Sequence, residues 1–405
     1  MAVPDVSGPN AASDLAHLKA DGINTVSLFV WWLAPSRTGD TLTPYSGTTG
    51  DDALTTEIGA ARRLGLAVTL TPLFYCADCE GGWRGTMAPA DMDGFFRSYG
   101  AFIDHYARLA AAQGVGTLYV GSEMTSLETE ATHWRSLIAA VRADFHGTIA
   151  YEENWDVAGR APFLSDVDLI GISAYFPLDD APAPTLSHLL ADWSSSQASA
   201  AYGSDWVSKL DHLAASTGKP IAFGEAGYMS GDYAAKQPFL NFEGQPDWQL
   251  QSDLYQALLE TFSSRSWWAG AVWWEWGKAD GLIADSGRSP GGKTAEILLK
   301  RWYAEGARPA RPDVPLVVAG SSLSTESAAT PATVGTSGSG QDAAGPSGST
   351  SPTGALDAAQ QAGLVGLLVF LAALALLCWV TLGRAPPAAP TALATPRPRS
   401  GDRGP

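Results

Sequence analysis

Short apolar stretches alternate with helical stretches along the first three quarters of the chain. Seven stretches have the length and apolar content of strands buried on both faces of a parallel sheet: residues 24–32, 66–74, 117–122, 148–151, 167–175, 220–225 and 270–276. Between them apolar residues recur at intervals of three and four, as in the series Trp134, Leu137, Ile138, Val141 and Phe145. Such a stripe is the face that an outer helix turns toward a sheet. The alternation therefore predicts a chain of βα units.

The seven predicted strands are one fewer than a closed TIM (β/α)8 barrel contains. Residues 11–21 have the pattern of a helix that follows a first strand, so the absent strand would precede them. The chain also opens with MAVPDVSGPN, which has neither the basic nor the apolar region of a signal peptide. Loss of a front segment would explain both gaps. We therefore predict an α/β fold of the TIM-barrel type that lacks its first strand.

The composition changes after the predicted barrel domain, residues 1–314. Residues 315–361 are dominated by Ser, Thr, Gly, Ala and Pro and predict a disordered stalk, because they carry too little apolar surface to fold. Residues 362–383 contain no charge and are long enough for one transmembrane helix. Residues 384–405 form a short basic tail, which the positive-inside rule places in the cytoplasm. The barrel is then expected outside the cell, anchored to the cell membrane by a single helix.

The charge and the aromatic content narrow the range of partners. The 42 acidic residues exceed the 25 basic ones and give a formal net charge of −17. So acidic a surface repels nucleic acid, and we expect no nucleic-acid partner. The 15 Trp and 12 Tyr exceed what packing usually demands, and their flat faces can stack on sugar rings. We expect a polysaccharide as the partner, bound by a monomer.

The cysteines and histidines do not form a metal-binding pattern. Cys76 and Cys79 lie close together in one loop, whereas Cys378 lies in the apolar stretch near the C-terminus. The pair indicates either a disulfide that closes the loop, which we favour, or two free thiols. Neither a second C-x-x-C pair nor closely spaced histidines complete a tetrahedral ligand set. We therefore expect no metal site.

Two glutamates stand where barrel enzymes keep their reacting groups, at the C-terminal ends of buried strands. Glu123 ends the stretch TLYVGSE and Glu225 ends PIAFGE, which would be the fourth and seventh strands of a complete barrel. Cleavage of a glycosidic bond needs two carboxyl groups on opposite sides of the sugar. A single strand-end glutamate more often forms a salt bridge at the base of a loop. The pair at these two strands favours catalysis.

Four blocks of the chain, in this order, resemble glycoside hydrolase family 113: GSEMTSLETEATHWRSLIAAVRADFHGTIAYEENWD, DLIGISAYFPL, KPIAFGEAGY, and QSDLYQALLETF with GAVWWEWG. The resemblance extends from about residue 11 to residue 302. It implies a retaining, endo-acting hydrolase of β-1,4-mannan or glucomannan that needs no cofactor, with Glu123 as the acid/base and Glu225 as the nucleophile. The alternatives are a β-glucanase or transglycosidase of the same clan, or an inactive carbohydrate-binding surface protein.

Two positions depart from what the resemblance leads us to expect. Many members of the wider clan place Asn directly before the acid/base, where this chain has Ser122. Serine is too short to replace the amide at the sugar, so the departure concerns the choice of substrate more than the type of reaction. The loop that contains Cys76 and Cys79 also differs from the family's usual sequence. We therefore expect one wall of the cleft to differ in shape from that of the family.

Eight further side chains are candidates for substrate binding because they end or follow predicted strands, or lie in the resembling blocks: Trp83, Arg84, Asn154, Trp155, Tyr175, Tyr228, Trp274 and Trp276. Either Trp274 or Trp276 would form the floor beneath the reacting sugar, since both alternate onto one face of the last strand. At least one tryptophan of the WWEW run would pack in the core instead. The rival carboxylates are Glu152, Glu153 and Glu275.

The stalk and the predicted span generate a test of topology. Protease added to intact cells should release the barrel domain into the medium by cutting within residues 315–361, because an unfolded segment outside the membrane is readily cleaved. Immunoblotting of medium and cells for the barrel measures the release. Permeabilised cells are the control, since only there should the basic tail also be cut. Full protection of the barrel in intact cells would contradict the outward-facing topology.

Overall fold

The computed structural model describes residues 1–3, 11–241, 244–277 and 286–304. Within these residues eight parallel strands follow one another in chain order around one sheet. They are β1 (Ala2–Val3), β2 (Thr25–Ala34), β3 (Ala67–Cys76), β4 (Thr117–Ser122), β5 (Thr148–Asn154), β6 (Leu169–Ser173), β7 (Ile221–Ala226) and β8 (Trp268–Trp273). The seven strands predicted from the sequence are present as β2 to β8, and the TIM-like barrel is confirmed.

The first strand of the barrel is present. Strand β1 pairs with β2, with Ala2 opposite Ser27 and Val3 opposite Leu28. The prediction that the barrel lacks this strand is therefore wrong. Two residues followed at once by Pro4 are too few to show the pattern of a strand, which is why the sequence did not reveal it. The expected loss of a signal peptide concerns residues outside this chain and stays a prediction.

In the part of the chain that the structure describes, eight α-helices surround the strands: α1 (Ala11–Ala20), α2 (Asp51–Arg63), α3 (Met92–Gln113), α4 (Ala131–Asp144), α5 (Leu186–Asp192), α6 (Trp206–Thr217), α7 (Trp248–Phe262) and α8 (Thr294–Ala304). The carboxylates of Asp91, Asp205 and Asp247 accept backbone N–H groups at the starts of α3, α6 and α7. Each thereby satisfies one of the donors that a helix start leaves unpaired. Between β5 and β6 the chain forms one 3₁₀ turn, Leu164–Asp166, in place of a helix.

Apolar side chains fill the barrel on both sides of its wall. Between strands and helices, the largest fully buried side chains are aromatic and include Tyr99, Trp134, Tyr151 and Trp273. Inside the barrel a separate cluster contains Ala2, Phe29 and Leu73, with Trp31, Val272 and Trp274 packed against it. The interior is thus a packed core, as in other barrels of this type.

The C-terminal segments predicted from composition lie outside the described residues. These are the stalk at 315–361, the membrane span at 362–383 and the basic tail at 384–405. Among the residues that the structure does describe, no helix combines the length and the apolar character that crossing a membrane requires. Anchoring in the membrane stays a prediction from the sequence.

Candidate active site

A cavity of about 1000 Å³ lies at the rim where the strands end, and both Glu123 and Glu225 line it. Its wall consists of Trp31, Gly81, Trp83, Arg84, Glu123, Asn154, Trp155, Asp156, Tyr175, Tyr202, Trp206, Glu225, Phe239, Leu240, Asn241, Trp274 and Arg288. The fold therefore brings together the two glutamates that were selected from the sequence, although they are about one hundred positions apart in the chain.

Glu123 is the first residue after β4. Its backbone N–H donates to the carbonyl oxygen of Glu152 on the neighbouring strand, at 2.8 Å, and its φ of 52° turns the chain sharply at this point. On the side-chain carboxylate, the Oε2 atom accepts two hydrogen bonds. Trp83 Nε1 donates at 3.1 Å and Arg84 Nη2 at 3.3 Å. Both donors come from the loop that follows β3.

These contacts determine where Glu123 can carry a proton. The indole and guanidinium N–H groups are donors only, and both are directed at Oε2. A hydrogen on Oε2 would face two other hydrogens, so protonated Glu123 carries its hydrogen on Oε1. Oε1 is consequently the atom that can give a proton to a molecule in the cavity.

Arg84 connects the loop after β3 to the end of β4. Its side chain is buried, with Nε donating to the carbonyl oxygen of Ser122 at 2.6 Å and Nη2 to the Ser122 hydroxyl at 2.8 Å. The residue that stands where much of the clan has Asn is thus engaged by an arginine. A buried guanidinium so close to Glu123 also supplies positive charge to the floor of the cavity.

Glu225 lies near the end of β7 and is only 6% exposed. The hydroxyl of Tyr175 donates to its Oε2 atom at 2.9 Å. Burial raises the pKa of Glu225 to about 7, and the charge of Glu123 acts in the same direction, while Arg84, the hydrogen bond from Tyr175 and Arg288 oppose the rise. One hydroxyl donor and two guanidinium groups therefore limit the rise in the pKa of Glu225, and its carboxylate is fully charged only above about pH 7.

Arg288 was not predicted from the sequence. Its guanidinium lies 5.2 Å from the centre of the Tyr175 ring and donates to the carbonyl oxygens of Gly227, Pro238 and Leu240. No pattern near position 288 indicates this role, because the contacts are made to residues about 50 to 60 positions earlier in the chain. Trp31 was also missed, but it lies near the end of a predicted strand, and strand-end position could have identified it.

The rival carboxylates have other surroundings and are not among the residues that line the cavity. Burial, followed by the charges of Glu225 and Glu123, raises the pKa of Glu152 well above its usual value, which indicates a neutral carboxyl. Its Oε1 occupies the space beside Gly224, where a Cβ atom would lie 2.4 Å from that oxygen. Glu153 accepts three backbone N–H groups of the loop after β5. Glu275 follows Trp274 through a cis peptide bond.

Six of the eight predicted substrate-binding residues line the cavity: Trp83, Arg84, Asn154, Trp155, Tyr175 and Trp274. Tyr228 and Trp276 are not among the lining residues. Tyr228 is fully buried with its ring 6.0 Å from that of Tyr255, and Trp276 is nearly buried with its ring 5.2 Å from that of His17. β8 ends at Trp273, so the alternation that would have placed Trp274 and Trp276 on one face does not continue far enough.

A disulfide between Cys76 and Cys79 closes the first turn of the loop after β3, which confirms the favoured interpretation of this pair. The next residues form two 3₁₀ turns, Glu80–Gly82 and Arg84–Thr86, and Trp83 joins them. Trp83 and Arg84, the two donors to Glu123, thus stand four and five residues beyond Cys79.

The sequence model of Glycoside Hydrolase Family 113 matches residues 4–286, more than half of the chain. The chain belongs to this family. The resemblance inferred from the four sequence blocks is thereby confirmed, and the protein is a glycoside hydrolase.

Solved structures of other family 113 members are similar to this hydrolase. The β-mannanase AaManA from Alicyclobacillus acidocaldarius, in complex with ManMIm, is 25% identical over 74% of this chain and 93% of its own, with a TM-score of 0.65. A second complex, of a family 113 β-1,4-mannanase, is 26% identical over 74% of this chain and 94% of its own, with a TM-score of 0.63. No curated protein matches the chain.

The contact between Tyr175 and Glu225 predicts a change in pH dependence for the family 113 hydrolase. In Tyr175→Phe the ionised carboxylate loses a donor, so the pKa of Glu225 should rise above about 7. Since kcat/KM reports ionisations of the free enzyme, its acidic limb should move to higher pH by roughly one unit. Rates across pH measure the shift. Tyr202→Phe, in the same cavity, is the control for the position of this limb. An unmoved limb in Tyr175→Phe, or one at lower pH, would contradict the prediction.

Proposed function

We propose that this family 113 hydrolase is a retaining endo-β-1,4-mannanase that works by double displacement. Glu225 is the nucleophile and Glu123 the acid/base. The observation that carries the proposal is the different hydrogen bonding of two glutamates in one cavity. Glu225 is buried and held by the Tyr175 hydroxyl, whereas Glu123 has Oε2 occupied by two donors and Oε1 left to carry a proton. The first environment suits a fixed nucleophile and the second suits a group that exchanges protons.

In the first step an oxygen of Glu225 attacks the anomeric carbon. The bond from that carbon to the bridging oxygen breaks, and Glu123 transfers the proton on Oε1 to the departing oxygen. The products are a glycosyl ester on Glu225, an ionised Glu123 and a sugar chain with a new hydroxyl group. Trp83 and Arg84 stabilise the charge that appears on Glu123, because both already donate to its carboxylate.

In the second step water attacks the same anomeric carbon. Ionised Glu123 takes a proton from the water, the ester bond to Glu225 breaks, and both glutamates return to their starting states. Two like charges in one small cavity disfavour each other. In the glycosyl-enzyme Glu225 is a neutral ester, so its negative charge is gone from the cavity when Glu123 acts as a base.

Aromatic side chains at both ends of the cavity support cleavage within a chain. Strands β4 and β7 are separated by β5 and β6 on one side of the barrel and by the other four strands on the other side. We call the ends of β8, β1, β2 and β3 one arc of the rim, and the ends of β5 and β6 the other arc. A substrate that passes between Glu123 and Glu225 must extend over both arcs. Over one arc Trp31 stacks on Tyr75 with ring centres 4.3 Å apart.

Over the other arc, the ring of Trp155 lies 5.6 Å from Phe239 and 5.7 Å from Tyr202. Tyr75 and Tyr202 are among the few large apolar side chains that are exposed among the described residues, with 41% and 39% of their surface accessible. Such rings can stack on sugars on either side of the cleaved bond. Trp274, packed against the interior of the barrel and lining the cavity, is the floor beneath the reacting sugar.

Mannan or glucomannan is the proposed substrate because the similar solved structures are β-mannanases of the same family. The place of action is proposed from the sequence alone. The charge-free residues 362–383 and the basic tail after them support a single membrane anchor with the barrel at the cell surface.

A panel of polysaccharides tests the substrate and the position of cleavage. β-1,4-Mannan or glucomannan should be cut to a ladder of oligosaccharides, with a rapid fall in viscosity, because the cavity has aromatic side chains at both ends. Product chromatography and viscometry measure this. β-1,4-Glucan and β-1,3-glucan are the comparison substrates. Release of single sugars only, or activity on glucans alone, would contradict the proposal.

Azide distinguishes the roles of the two glutamates. In Glu123→Ala, a substrate with an activated aryl leaving group can still form the ester on Glu225, and azide can replace water because it needs no base. The rate should recover, and the product should be a β-glycosyl azide. In Glu225→Ala no ester forms, so azide should attack the substrate directly and give the α-glycosyl azide.

Product configuration by NMR separates the two results. The reversed pattern would show that the two roles are exchanged. Unimpaired activity of either variant on polysaccharide would remove that residue from the mechanism.

A further inference from the structure

Two sets of contacts hold the loop between β3 and α3 in place. The first is the disulfide between Cys76, the last residue of β3, and Cys79. The second comes from the loop after β2. There, the backbone N–H of Arg37 donates to the carboxylate of Asp78, and Arg37 Nε donates to the carbonyl oxygen of Thr86 at 2.6 Å. Hydrogen bonds from Arg37 therefore fix both ends of the segment from 78 to 86.

The interior of the same segment leaves little freedom for Trp83. Backbone hydrogen bonds connect Gly82 N to the Cys79 carbonyl at 3.0 Å and Trp83 N to the Glu80 carbonyl at 3.1 Å. The indole lies directly against Gly85, where a Cβ atom would be 2.3 Å from the ring. Only glycine at this position leaves room for the ring, so the direction of the Trp83 N–H follows from the course of the loop.

We propose that this loop, which the disulfide fastens at its start, holds the acid/base in its working orientation, and that Trp83 and Arg84 are positioning residues for Glu123. With Oε2 fixed by two donors, Oε1 is presented to the cavity, and proton transfer to the departing oxygen needs no rotation of the carboxyl group. The inference rests on the proposed role of Glu123 as acid/base. It assigns to the disulfide a catalytic consequence: opening it weakens proton transfer.

A sugar-binding role for Trp83 makes a different prediction. Trp83 also lines the cavity and could stack on a sugar ring. Stacking uses the face of the ring, which phenylalanine retains, whereas positioning of Glu123 uses the indole N–H, which phenylalanine lacks. Trp83→Phe therefore separates the two roles, and Trp83→Ala, which removes both, is its matched comparison.

The first experiment compares two substrates that differ in their need for an acid. One is an unactivated manno-oligosaccharide, and the other is its dinitrophenyl β-glycoside, whose leaving group departs without protonation. In Trp83→Phe, kcat/KM for the oligosaccharide should fall about ten-fold, the loss expected for one hydrogen bond to a charged group. For the dinitrophenyl glycoside it should fall less than about two-fold, since kcat/KM then reports only attack by Glu225. Equal losses on both substrates, or no loss on the oligosaccharide, would overturn the proposal.

The second experiment opens the disulfide in the intact protein. Dithiothreitol supplies two electrons and two protons, breaks the Cys76–Cys79 bond and leaves two thiols while it is itself oxidised to a cyclic disulfide. Reduced wild type should lose activity on the oligosaccharide selectively, as Trp83→Phe does, and reoxidation should restore it. The double variant Cys76→Ser/Cys79→Ser should show the same selectivity and no response to reductant. Wild-type activity unaffected by complete reduction, checked by thiol titration, would overturn the role of the disulfide.

Glu123→Ala, measured on the same two substrates, separates failure of this inference from failure of the proposed function. Selective loss of the unactivated substrate in Glu123→Ala, together with none in Trp83→Phe, would disprove the positioning role alone. Absence of that selectivity in Glu123→Ala would disprove the acid/base assignment, and with it the inference. Selective loss in both variants supports both.

Discussion

Two carboxylates share one partly buried cavity, and the repulsion between them is the constraint around which the site is arranged. Burial already disfavours the charge of Glu225, and the nearby Glu123 disfavours it further. Arg84, Arg288 and the Tyr175 hydroxyl offset these effects from three different loops. None of the three opposing groups would be needed if the carboxylates were solvated. Much of the polar structure at the rim follows from bringing this pair of charges together.

The barrel supplies the rigidity that such a pair demands. Parallel strands end at one rim, so residues far apart in sequence are held by a common hydrogen-bonded frame. The interior beneath them is filled by apolar side chains, including Trp274, which also faces the cavity. Glu152 Oε1 lies so close to Gly224 that a Cβ atom there would be 2.4 Å away, which shows how closely the strands are packed directly under the site. The reaction therefore takes place directly above a closely packed interior that does not easily deform.

The sequence predicted what depends on local pattern and missed what depends on distant contacts. Buried strands of five or more residues have a recognisable composition, and their ends identified Glu123 and Glu225. Strand β1 was too short to have a pattern. Tyr228 lies two residues beyond the end of β7, and it is buried rather than among the residues that line the cavity. The role of Arg288 could not be predicted, since it depends on a tertiary arrangement of carbonyl groups that no local pattern records.

The late position of Arg288 in the chain determines when the wall of the active site becomes complete during synthesis. The guanidinium belongs to the last tenth of the described chain, while Trp31 on the opposite part of the cavity wall belongs to the first. During synthesis on the ribosome the N-terminal strands emerge long before this arginine does. A nascent chain released early would contain Glu123 and even Glu225, yet the latter would lack one of its two cations. The wall of the active site is thereby complete only once the segment after β8 has been synthesised.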